Sequence, residues 1–173
     1  MSIQRLSFLV IFAAASQTLR AEPTFVSHAP GDAVFNQPAG VTQRNPFVVR
    51  ENDILQLWIK IGPSFSYDNV AVYYTTNGDA PNGAQGIGFG ATTALRNVGG
   101  FPTIFFQYNE GGDDWWRVNF PIGALNYGNT IRYKIGVWDG NTPGSPEVFA
   151  NGGQVYTWTN KIAWPGAGAP DPN

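Results

Sequence analysis

Glycoside hydrolysis needs two positioned carboxyl groups, and the acidic candidates are Glu51, Asp53, Asp68, Asp79, Glu110, Asp113, Asp114, Asp139 and Glu147. Most stand in turn signals, where Asp serves the backbone rather than a substrate. Asp113 and Asp114 are adjacent, and neighbours on a strand point to opposite faces, so they do not form a catalytic pair. Oxygen-rich loops around Asp79, Asp113, Asp114 and Asp139 suit calcium chemically, but no ordered ligand spacing supports a site. The one histidine, His28, cannot supply a two-His metal site, and a Ser-His-Asp triad would have to use it. Beside Ala29-Pro30-Gly31, it reads as a solvated loop residue. With no cysteine, a thiolate nucleophile, a disulfide and a Cys-based zinc site are excluded. The sequence therefore points to a non-catalytic chain without a metal or cofactor.

Aromatic residues offer a clearer use. Sugar rings have apolar faces that stack on Trp and Tyr, while polar side chains take the hydroxyls. Trp58, Tyr73, Trp115 and Trp138, with Arg117 beside them, fall on the strand phases expected to face outward, and they are the expected carbohydrate contacts. The competing expectation is that loops, an N-terminal arm or a partner domain covers these rings.

The elements that must position them read as strands. Within Ile54 to Ile61, the residues Leu55, Leu57, Ile59 and Ile61 share the core phase, and Gln56, Trp58 and Lys60 the other. Strands are also expected over 47–50, 69–76, 101–108, 113–120, 130–139 and 154–159. In 113–120, Trp116, Val118 and Phe120 take the core phase, whereas Trp115, Arg117 and Asn119 take the outer one. Ile131, Tyr133, Ile135 and Val137 form the core set of the sixth strand. The glycine-rich stretch from Asn77 to Gly100 is too long for a hairpin turn and lacks the spacing of a phosphate loop. It reads as an exposed loop pegged by Ile87, Phe89, Leu95 and Val98.

About seven strands separated by turns predict an all-β fold: a two-layer antiparallel sandwich of the immunoglobulin or fibronectin type III kind, spanning 47–164. In that strand order the second and fifth strands are neighbours, which brings Trp58 near Trp115. The third and sixth bring Tyr73 toward Trp138 on the other sheet.

Composition agrees with a folded domain. Charged residues are only 13% and net charge is -2, so nothing supports a nucleic-acid partner or electrostatic membrane binding. Aromatics at 14%, with 21 Gly and 13 Pro, describe strands that bury flat side chains between frequent turns. Residues 1–21 read as a secretory signal, with Arg5 ahead of the short apolar run Phe8 to Ala15 and cleavage after Ala21 or nearer Ala15 or Ser16. The expected location is therefore extracellular or periplasmic, and the absence of cysteine favours a bacterial export route. Residues 22–46 form an irregular arm in which Phe25, Val26, Val34 and Phe35 can anchor along a sheet edge. Residues 165–173 have the composition of a tail or linker.

The corner from Ala124 to Ile135, ALNYGNTIRYKI, resembles the tyrosine-corner pattern of fibronectin type III-like sandwiches, with Leu125, Gly128, Thr130 and Tyr133 in the matching places. That resemblance implies a buried Tyr133 whose hydroxyl meets nearby turn backbone. VYYTTNGDAPNG, then DDWWRVNFPIGAL and GNTIRYKIGVWD, resemble the N-terminal immunoglobulin-like (E-set) modules of secreted bacterial α-amylase-family glycoside hydrolases. YTTNGDAP is also similar to the YTTDG turn of a chitobiase β-sandwich module, with Asn77 in place of the usual Asp. The catalytic barrel of such enzymes is absent from this sequence. The resemblance thus implies an accessory module that binds α-glucan or another polysaccharide, or that positions a glycoside hydrolase domain. A structural or adhesive protein-interaction module is the alternative.

Overall fold

Strict two-residue alternation of apolar side chains organises the chain. A computed structural model describes residues 23–47, 54–97, 103–120 and 130–159. Its strands are β1 Phe25–Ser27, β2 Arg44–Asn45, β3 Leu55–Gly62, β4 Asn69–Thr75, β5 Gly83–Ala84 and β6 Ile87–Gly88, then β7 Thr93–Arg96, β8 Ile104–Glu110, β9 Asp113–Phe120, β10 Thr130–Trp138, β11 Val148–Phe149 and β12 Tyr156–Thr159. A 3-10 turn, Ala150–Gly152, joins the last two.

Two antiparallel sheets face each other. In the first, the order is β1-β3-β9-β8, with β2 also on β3; in the second it is β11-β10-β4-β7, with β12 also on β10. This is the immunoglobulin-type arrangement, with β7 as an additional edge beside β4. Leu55, Leu57, Ile59 and Ile61 from β3, Val70 and Val72 from β4, Val118 and Phe120 from β9, and Ile131, Tyr133, Ile135 and Val137 from β10 fill the space between the layers. Each alternates with a residue on the outer face, as the pleat requires. Trp116 is half-buried and packs against this core, on the side its phase assigned to it.

The expected neighbour relations hold. The β3–β9 register sets Trp58 opposite Arg117 and Lys60 opposite Trp115. The β4–β10 register sets Tyr73 opposite Lys134 and Asn69 opposite Trp138, and the Tyr73 and Trp138 side chains join one buried cluster on that sheet's outer face.

Several local expectations are corrected. The glycine-rich segment is not one pegged loop: it contains the β5–β6 hairpin and the edge strand β7, which pairs with β4 through Val72 and Leu95. Leu95 packs on the core, but Ile87 and Phe89 are exposed rather than pegs. Val98 lies outside the described residues. The strand expected over 47–50 shows only Phe47, which is exposed and outside any strand; the rest lies outside the described residues. The arm is less irregular than expected, because Phe25–Ser27 pairs with β3 and Val26 and Val34 are buried, an anchoring along the edge that its apolar residues foreshadowed. The segments 1–21 and 165–173, and the corner residues Leu125 and Gly128, also lie outside the described residues.

His28 is the clearest correction. It is fully buried rather than solvated. Its Nδ1 donates to the Trp58 carbonyl at 2.8 Å, and its Nε2 accepts from the Tyr133 hydroxyl at 2.9 Å. A carbonyl can only accept, which assigns the proton to Nδ1. Tyr156 packs edge-on against the same ring, and its hydroxyl donates to the His28 carbonyl at 2.8 Å. A buried imidazole with both nitrogens satisfied is stable as the neutral form, and burial lowers its pKa to about 4. The signal was present in the sequence: Val26 and His28 share one phase of the edge strand and its continuation.

Candidate functional site

Four of the five residues expected to meet sugar are outward in phase but covered. Trp58 is 2% exposed, Tyr73 0%, Trp115 4% and Trp138 7%. Arg117 is half-buried. They form two separate layers, one on the outer face of each sheet, so Trp115 and Trp138 share no platform. The chain itself covers these rings.

On the first sheet, aromatic and cationic side chains alternate across β3 and β9. Arg117 Cζ lies 5.8 Å from the Trp58 ring centroid, and Lys60 Nζ lies 5.9 Å from that of Trp115. Trp115 Nε1 donates to Glu110 Oε2 at 2.8 Å, and Lys60 Nζ approaches that carboxylate at 3.6 Å and Asp113 Oδ2 at 3.4 Å. These half-exposed ion pairs hold the cation over the ring more than they stabilise the fold.

Two covers close this layer. Val34 and Val41, from the arm, pack on Trp58 and Trp115, and so does Tyr108 of β8. Tyr108 reaches them through a β-bulge: the β8–β9 register shifts between Phe106 and Tyr108. Residues 105 and 108 would otherwise face opposite sides of a regular strand. The extra residue returns Tyr108 to the outer face, 6.5 Å from Trp58 and 6.3 Å from Trp115 between ring centroids. The Tyr108 hydroxyl donates to the Phe35 carbonyl and so ties the arm to β8. Around the margin, Phe35 is 53% exposed and Phe105 37%. Beneath the cover, Trp58 Nε1, Arg117 Nε and Asn119 Oδ1 are buried without a hydrogen-bond partner.

On the second sheet the glycine-rich segment is the cover. The β5–β6 hairpin lies on Tyr73, and the Gly86 amide donates to the Tyr73 hydroxyl at 2.6 Å. That hydroxyl donates in turn to Glu147 Oε1 at 2.7 Å, and the Gln85 amide donates to Glu147 Oε2 at 2.7 Å. Lys134 Nζ lies 5.3 Å from the Tyr73 centroid and 4.5 Å from that of Phe149. Burial pushes the Tyr73 hydroxyl well above its usual range, with the Glu147 hydrogen bond second. Burial also raises the Glu147 carboxyl, while Tyr73, the Gln85 amide and Lys134 pull it back.

Missing side chains make this closure possible. A Cβ on Gly83 would stand 2.4 Å from Tyr73 Cδ1, and one on Gly136 would stand 2.0 Å from Glu147 Oε1. The glycines therefore mark close approach of backbone and carboxylate to the sheet, which composition alone cannot distinguish from flexibility.

No group of His, Cys, Asp and Glu suited to a metal ion occurs among the described residues. Asp113 faces Lys60, whereas buried Asp114 accepts from the Tyr67 hydroxyl at 3.3 Å and from Asn109 Nδ2 at 3.0 Å. The two carboxylates thus have separate structural partners. An open groove of about 580 Å³ runs between the edge strands β1 and β11, lined by Phe25, Val26, Val148 and Phe149 among others. None of the five expected sugar contacts lines it. No family model and no curated protein matches the chain.

Proposed function

We propose that the chain is a secreted, non-catalytic β-sandwich module of a carbohydrate-active assembly, and that it positions a glycoside hydrolase domain. The observation that carries this reading is the contrast on the first sheet's outer face. Trp58 and Trp115 are sealed by the chain's own arm, while Phe35 and Phe105 remain exposed at the margin. Exposed aromatics bordering a rigid, filled layer suit docking of a second domain better than stacking of a sugar ring. The carbohydrate context comes from the resemblance of the YYTTNGDAPNG, DDWWRVNFPIGAL and GNTIRYKIGVWD segments to E-set modules.

The test joins the chain to an amylase-type catalytic domain and measures turnover on granular starch and on short maltooligosaccharides. Positioning predicts a gain on the polymer that is lost in a Phe35→Ala, Phe105→Ala double variant. Equal turnover with and without the module would sink the reading.

Direct glycan contact is the other version of the carbohydrate reading, and the exposed Phe35 and Phe105 are the rings open to it. Titration with starch, glycogen and chitin under Trp fluorescence separates the two: saturable quenching by any of them supports contact, and none leaves positioning. A structural or adhesive role is the remaining class, and concentration-dependent self-association in light scattering would favour it.

A further inference from the structure

Three Asn-Gly pairs occur in the sequence, at 77–78, 82–83 and 151–152. We propose that the fold makes Asn77 a spontaneous modification site, where the side-chain amide converts to a carboxylate through a succinimide, and that it protects the other two.

The reaction needs the Gly78 amide nitrogen to reach Asn77 Cγ. Gly78 suits this, since it is exposed and nothing lies within 4 Å of the place a Cβ would occupy. The Asp79 amide donates to Asn77 Oδ1 at 3.1 Å. Charge develops on that oxygen when the ring closes, so the Asp79 N–H acts as an oxyanion donor already in place. Asn77 Nδ2, the departing nitrogen, bonds at 2.7 Å to Asp79 Oδ2, an exposed partner. The turn itself is held at both ends: Thr75 Oγ1 donates to the Asp79 carbonyl at 2.5 Å, and Arg132 Nη1 donates to the Gly78 carbonyl at 3.0 Å. The Asn77 side chain is therefore already oriented in the native turn.

The step balances with water alone. The Gly78 nitrogen loses its proton and bonds to Asn77 Cγ. The tetrahedral centre then breaks its bond to Nδ2, which leaves as ammonia carrying that proton. Water opens the resulting succinimide at either carbonyl, leaving an aspartyl or an isoaspartyl residue and no change of redox state.

The other two pairs are held more tightly, Gly83 through its backbone and Asn151 through its side chain, although Gly152 is as open as Gly78. Gly83 is buried against Tyr73 and pairs with Gly88, while the Asn82 amide is bound by Thr92 Oγ1 at 2.8 Å and its carbonyl by the Phe89 amide at 2.9 Å. Asn151 Nδ2 donates to the His28 carbonyl and to the Tyr156 hydroxyl, each at 2.9 Å, so two bonds to buried residues must break before its amide can turn. Conversion at Asn77 adds a negative charge beside Asp79. Its isoaspartyl form lengthens the backbone between β4 and the β5–β6 hairpin, against the Arg132 contact.

Incubation of the full folded chain in mildly alkaline buffer, followed by peptide mapping and isoaspartyl labelling, tests the proposal. Asn77 is expected to convert at least about tenfold faster than Asn82 or Asn151 in the native chain, with the three rates converging in urea. Asn82 or Asn151 keeping pace in the native chain, or the same spread persisting in urea, would overturn it. Asp79→Pro removes the amide donor and Asp79→Ala keeps it. Slowing by Pro and not by Ala supports the oxyanion role, and equal rates in both variants overturn that role.

Discussion

His28 and Tyr133 stand 105 positions apart and meet in a buried 2.9 Å hydrogen bond that links the arm beside the first sheet to the central strand of the second. The other imidazole nitrogen holds the Trp58 carbonyl of β3, so one ring ties both layers. Charging it would place a cation in the core and destroy its acceptor.

That arrangement makes stability pH-dependent. An unfolded His titrates near 6.5, whereas buried His28 takes its proton only at about 4. Between these values the unfolded chain binds more protons, so stability rises with pH there. The contribution is complete above about 6.5, declines as pH falls, and is lost below about 4, amounting to on the order of 3 kcal/mol. Urea unfolding at a series of pH values, compared between wild type and His28→Gln, should show a shallower slope for the variant. Identical slopes would refute a neutral buried imidazole.

Removing the Tyr133 hydroxyl should leave His28 Nε2 a buried acceptor without its donor. Tyr133→Phe is expected to cost about 1–3 kcal/mol in chemical denaturation, although it deletes a single oxygen. A change of only a few tenths would mean that the hydroxyl contributes little to the core.

Gly83 tests the close cover on the second sheet. An added Cβ meets Tyr73 Cδ1 at 2.4 Å and the Ile87 carbonyl oxygen at 2.6 Å, and the second of these is backbone and cannot swing aside. Gly83→Ala should therefore lose about 1–3 kcal/mol and speed hydrogen exchange at the Gly86 amide, which bonds to Tyr73. Unchanged exchange would show that the hairpin does not depend on this contact.

Val34 is the arm's buried apolar residue in the cluster with Trp58 and Trp115. Val34→Ala should destabilise by about 1–2 kcal/mol and make Trp fluorescence more accessible to acrylamide. Quenching identical to wild type would show that Tyr108 and Val41 seal the layer without it.

Period-two patterning was enough to give the sandwich and the core phases of β3, β9 and β10, because strand geometry couples sequence spacing to face. The immunoglobulin-type strand order added the neighbour pairs Trp58–Trp115 and Tyr73–Trp138. The same patterning could not say whether an outer face meets water. That is decided by segments remote in sequence: Val34 and Val41 from the arm, Tyr108 through an extra residue in β8, and the Gly83–Gly88 hairpin with Glu147. The loop signals of Ala29-Pro30-Gly31 pointed to a solvated His28 and outweighed its shared phase with Val26, because the partners that bury it, Tyr133 and Tyr156, come from the far end of the chain. A sequence fixes local direction through the pleat, but burial is a property of what lies opposite. Only the packed structure brings those partners together.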